Sequence, residues 1–133
     1  MARNTNRQGA NFELVTMHDL EKHEYTCLRS SGSRGPVDVV AIGPEPVQEV
    51  WENPYTLYVP GGPVLFIQCK RTNPLISPAE RLAVQNLALR AGAVPLVAHW
   101  AKSETTGLMT VHYRQLTGPG PKDWAPWAPG EGN

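Results

Sequence analysis

The 133 residues carry 12 basic and 12 acidic side chains, with 41% hydrophobic and 18% charged residues; this is the make-up of one ordinary globular domain and argues against a second domain, a wholly disordered chain or a fibrous repeat. Zero net charge excludes binding to nucleic acid or an anionic membrane through bulk charge, so any such affinity must be local. Two cysteines without metal spacing, Cys27 and Cys69, are too few for a disulfide framework, the N-terminal MARNTNRQGANFE has no apolar run, and no stretch nears the roughly 18 apolar residues of a membrane span, leaving a reduced, unexported, cytoplasmic protein as the expectation.

In chain order, Ala10, Phe12, Leu14, Val15, Met17 and Leu20 recur at spacings that predict a helix over about residues 9–23. Residues 25–29 (YTCLR) read as a short strand, SSGSRGP as a turn, and residues 37–42 as a second strand. The proline-rich segment 44–63, with its Gly-Gly and aromatic patch, reads as an inserted loop or hairpin. VLFIQCK (64–70) is the clearest strand, apolar on both faces until its polar end, as a central strand should be. Ser77, Pro78 and Glu80 then form a helix-start signature of N-cap, first-turn proline and capping-box acid, and Gly92 stops the helix after Ala91. Residues 93–100 and 108–116 read as two more strands, and the Pro/Gly-rich tail shows no periodicity. The order predicts an α/β domain over residues 1–116, a mixed central β-sheet flanked by helices, followed by a tail over 117–133.

Period-two geometry sets Phe66, Gln68 and Lys70 on one face of their strand and Leu65, Ile67 and Cys69 on the other. Glu13 shares a helical stripe with Ala10, Met17 and Leu20, so it leans toward the core. Asp38 stands at the mouth of a strand of valines, where a carboxylate costs several kcal/mol unless a cation or donor meets it. Each has a bland reading: Asp38 caps a turn or pairs with Arg34, Lys70 snorkels, Gln68 satisfies a backbone group, Glu13 is solvated. Together they outline a metal site or a perturbed acid/base pair. The capping box accounts for Glu80, and the four histidines show no metal spacing.

The ordered runs RQGANFE, LEKHEYTCLRSSGSRGPVDVVA, VLFIQCK and GAVPLVAHW resemble the archaeal-type Holliday junction resolvases of the PD-(D/E)XK nuclease superfamily, over roughly residues 7–100. The resemblance implies a single restriction-endonuclease-like domain, Mg²⁺ as cofactor with Mn²⁺ substituting, and a homodimer cutting four-way DNA junctions. Its helix glutamate, strand aspartate and Glu-x-Lys pair correspond to Glu13, Asp38, Gln68 and Lys70, and its basic and hydroxyl residues to Arg29 and Ser33. Arg7, Arg34 and Arg71 are further phosphate-facing candidates.

The chain departs from that pattern at Gln68, where the family has glutamate; an amide oxygen is an uncharged magnesium ligand. Relatives in the superfamily tolerate glutamine there or move the acid to another element, and Glu45, Glu49 and Glu52 of the inserted loop are candidates for that replacement. The expected cation ligands are Asp38, Gln68, the main-chain carbonyl of Cys69, and Glu13 directly or through water. Lys70 is expected to orient the attacking water, with Ser33 near the scissile phosphate. Alternatives are a related nuclease for flapped, nicked or single-stranded DNA, and a catalytically silent DNA-binding module.

Overall fold

The computed structural model describes residues 5–30, 35–44 and 63–130, with side chains from residue 11 onward. The elements in chain order are α1 (Thr5–Glu21), β1 (Thr26–Arg29), β2 (Val39–Ile42), β3 (Val64–Cys69), α2 (Pro78–Ala91), β4 (Val94–Lys102), β5 (Met109–Leu116) and β6 (Trp124–Trp127). The six strands form one sheet whose spatial order is the order of the sequence. Every neighbouring pair is antiparallel except β3 with β4. A parallel pair needs a long crossover, and α2 supplies it.

The two faces of the sheet are packed differently, and the alternation of β3 decides which residues go where. Leu65 and Ile67 point with Val39, Ala41, Leu96, Ala98 and Tyr113 into a core closed by Phe12 and Leu20 of α1. Burying each leucine or isoleucine there is worth about 1.5–3 kcal/mol. On the other face Val84 of α2 meets Val97 and Leu116, with Ile76 alongside. Gln68 and Lys70, one and three residues on from Ile67, therefore belong to the α2 face.

The helix-start signature at Ser77 operates as the sequence predicts. The Ser77 hydroxyl accepts from the Glu80 amide at 3.1 Å, and Glu80 Oε1 accepts from the Ser77 amide at 3.2 Å. Gly92 closes the helix in the left-handed region at φ 66°, where a side chain would be strained.

The tail differs from expectation. Trp124–Trp127 is a sixth strand, paired with β5 in the register Tyr113 with Trp127 and Leu116 with Trp124. Pro126 is tolerated because β6 lies at the edge of the sheet, where a missing amide costs no ladder bond. Trp127 covers the α1 core, edge-on to Tyr25 and Tyr113, whereas Trp124 lies beneath the Arg114 guanidinium at 3.9 Å on the opposite face. The turn before β6 is held by Arg81 of α2, which is buried and donates to the carbonyls of Gly118 and Asp123 at 3.0 and 2.9 Å.

The expected loop 44–63 falls almost wholly outside the described residues, together with Glu45, Glu49, Glu52, Trp51, Tyr55 and Tyr58. Among the described residues no helix is long and apolar enough to cross a membrane.

Candidate active site

Strands β2 and β3 part at Asp38, and Asp38 makes the last bonds between them. Its amide donates to the Ile67 carbonyl at 2.8 Å, and its carbonyl accepts from the Ser30 amide of the chain leaving β1 at 2.9 Å. Its Oδ2 accepts from the Cys69 amide at 2.8 Å, so a carboxylate stands where a backbone carbonyl would continue the ladder. One hydrogen bond offsets only part of the cost of burial, and burial pushes the Asp38 carboxyl above its ordinary value; the Glu80 charge adds to this, against the Cys69 amide and the Lys70 charge.

Gln68 and Lys70 converge on one oxygen from the α2 side. Glu80 Oε2 accepts from Gln68 Nε2 at 2.7 Å and from Lys70 Nζ at 2.9 Å. The bond from Lys70, followed by those from the Ser77 amide and Gln68, holds the Glu80 carboxyl down to about 2 against burial. Gln68 is 8% exposed, and its Oε1 is buried without a hydrogen-bond partner. Because a carboxylate only accepts, Nε2 must be the atom facing Glu80, which leaves the amide oxygen as the orphan. A buried acceptor left so costs about 1–3 kcal/mol.

Glu13 approaches from α1. Its side chain is 16% exposed and its Oε1 meets Arg29 Nε at 3.0 Å. Burial and the nearby Asp38 charge push its carboxyl up, and Arg29 pulls the other way. The site thus lies at the end of the sheet, where groups from both faces reach Asp38.

Of the residues singled out in the sequence, Gln68 and Lys70 meet at Glu80, Asp38 bonds to the next strand residue, Cys69, and Glu13 pairs with Arg29 close enough for its charge to act on Asp38. Arg29 is there too, paired with Glu13 rather than turned to solvent alone. Arg71 lies two residues past the end of β3, its carbonyl accepting from the Trp100 amide at 2.9 Å. The Cys69 thiol points the other way, toward the Thr16 hydroxyl at 3.8 Å, so only its backbone belongs to the site. Ser33 and Arg34 lie outside the described residues, and Arg7 lies in α1 before the described side chains begin.

Sequence reasoning missed Glu80. Its capping box accounts for one carboxylate oxygen, and nothing in the sequence says where the other points. The available signal was position, since α2 begins soon after the polar end of β3 and its third residue carries an acid.

The donor set suits a hard divalent cation. It offers the oxygens of Asp38, Glu13 and Glu80 and the orphaned Gln68 amide oxygen, and burial, with the neighbouring acid adding to it, raises the Asp38 and Glu13 carboxyls. The acids do not close tightly on one point: among the described residues no group of three His, Cys, Asp or Glu side chains is set to hold a metal ion. The fit therefore rests on oxygens of mixed kind, including an amide.

No family model matches the chain, and no curated protein matches it at a significant level. Among solved structures it is similar to Hjc of Archaeoglobus fulgidus, described as a Holliday junction resolvase from an archaeal hyperthermophile, with 23% identity and a TM-score of 0.46. That likeness covers 69% of this chain and 63% of the resolvase chain, so this protein spans less than two thirds of the length of the structure it matches.

Proposed function

We propose that this protein is a divalent-cation-dependent endonuclease acting on branched DNA, with the four-way junction as its substrate. The observation that carries the reading is Asp38 fastened to the Cys69 amide of β3, where the preceding residue, Gln68, carries an orphaned buried oxygen and Lys70 follows two residues further along the Gln68 face. Acids desolvated by burial and a buried acceptor without a donor are costly to the fold and useful to a cation site. The resemblance carried by RSSGSRGPVDVVA and VLFIQCK gives the same residues the same chemistry.

In this reading Asp38, the Gln68 amide oxygen, the Cys69 carbonyl and Glu13 hold Mg²⁺, with Mn²⁺ as a substitute. The bound cation supplies positive charge for the oxygens of the phosphodiester as it is attacked. Lys70 holds the attacking water and stabilises negative charge developing on the phosphorus-bound oxygens. Arg7, Arg34 and Arg71 hold phosphates, and Ser33 donates its hydroxyl near the scissile group. Arg29 joins them by exchanging its Glu13 partner for phosphate. Paired cuts on a symmetric junction need two such sites, so the protein acts as a homodimer.

Incubation with a synthetic four-way junction, a linear duplex and a flap of matched sequence, with and without Mg²⁺, tests this. Symmetric, Mg²⁺-dependent nicks on the junction alone are expected. Preferential cutting of the flap or duplex would overturn the junction assignment, and tight junction binding with no cutting under any metal would overturn the enzyme.

A further inference from the structure

The capping box at the start of α2 uses half of a carboxylate, and the other half faces the residues to which the reading above gives the chemistry. Oε1 is committed to the Ser77 amide, so the Glu80 side chain is fixed relative to its helix. Oε2 lies over β3, where Gln68 Nε2 and Lys70 Nζ reach it from positions two residues apart on one strand face. A solvated capping acid needs neither donor.

We infer that Glu80 is an anionic ligand of the Asp38 cation site, supplying from the N-terminus of α2 the carboxylate that β3 lacks at Gln68. This rests on the reading that the site takes a divalent cation.

The second observation is the amide of Gln68. Its Nε2 is spent on Glu80, and its Oε1, on the same planar head group, is buried with no hydrogen-bond partner. An acceptor in that position is completed by a donor or a cation, and the side chain is more than nine-tenths buried, so solvent does not complete it readily. The amide therefore does two things at once: it holds the Glu80 carboxylate in place through its nitrogen and offers its own oxygen beside it. Asp38, fastened to the Cys69 amide, supplies the second charge. Two carboxylates and an amide oxygen match a hard divalent cation in charge and in donor type.

The simplest competing account makes Glu80 a neutraliser of Lys70 and a cap, with no part in cation binding. Titration with Mn²⁺ alone, followed by electron paramagnetic resonance on the DNA-free protein, separates the two. Glu80→Gln keeps a capping-box residue and removes the charge, Ser77→Ala weakens the cap and keeps the charge, and Asp38→Asn reports on the site itself. Each variant is first shown to melt cooperatively. The expected result is at least about tenfold weaker Mn²⁺ binding for Glu80→Gln, in line with the dependence of affinity on ligand charge, and less than about threefold change for Ser77→Ala, whose ligand set is intact. Wild-type Mn²⁺ affinity in Glu80→Gln, with binding lost in Asp38→Asn, would overturn the inference and leave the proposed function standing. Absence of Mn²⁺ binding in the wild-type protein would overturn the cation reading, and this inference with it.

Discussion

Asp38 is kept at a cost to the fold, and the direction of that cost can be measured. Its folded carboxyl lies above its unfolded value, so the folded state binds the proton more tightly, and stability falls as the pH rises through that range. Asp38→Asn removes the charge and keeps an oxygen for the Cys69 amide, and without metal its melting temperature at pH 7 should equal or exceed that of the wild type. Asp38→Ala also orphans the Cys69 amide, and should be less stable than Asp38→Asn by about 1–3 kcal/mol in denaturant titration. A marked loss of stability in Asp38→Asn would show that the carboxylate serves the fold. Glu80 has the opposite sign. Its folded carboxyl is depressed from an ordinary value near 4.5 to about 2, so its contribution is present above pH 4.5 and is lost as the pH falls toward 2. Its side chain is 38% exposed, which reduces that contribution through solvent screening. Glu80→Gln should accordingly flatten the acid limb of the stability profile across that window, as followed by circular dichroism.

Among the elements, α2 connects the two ends of the molecule. Its first turn reaches the site through Glu80, and one residue later Arg81 holds the turn that leads into β6. Arg81→Met leaves the Gly118 and Asp123 carbonyls without their charged donor, which should cost about 2–3 kcal/mol. Amide exchange should then speed up in residues 124–127 while β3 and β4 stay protected; equal loss of protection in all three would mean that the anchor serves the whole sheet. The same two neighbours mark what was legible in the sequence. Period-two alternation placed Gln68 and Lys70 on one face of β3, because strand geometry alone decides that. The sequence shows Glu80 only as a cap, because local pattern accounts for one oxygen and only tertiary packing directs the other. β6 was hidden for a similar reason: WAPW has no alternation of apolar and polar residues, and its strand identity comes from pairing with β5 and from tryptophans that pack on opposite faces of the sheet.

For the whole molecule, zero net charge and DNA binding are compatible only if the basic residues act locally. If Arg7, Arg29, Arg34 and Arg71 each neutralise one phosphate, junction affinity should fall with salt at a log–log slope of about −3 to −4 per protomer in fluorescence anisotropy. A flat dependence would contradict the phosphate contacts. The sheet carries Asp38, Gln68 and Lys70 to one end, where β2 and β3 part, and Glu13 of α1 and Glu80 of α2 stand near enough for their charges to act on Asp38. The account therefore turns on Asp38 and Lys70, and single-turnover cleavage of a four-way junction in Mg²⁺ tests it most directly. Folded Asp38→Asn and Lys70→Ala variants that still bind the junction should each cut at least about 100-fold more slowly than the wild type; cutting at the wild-type rate by either one would contradict the account.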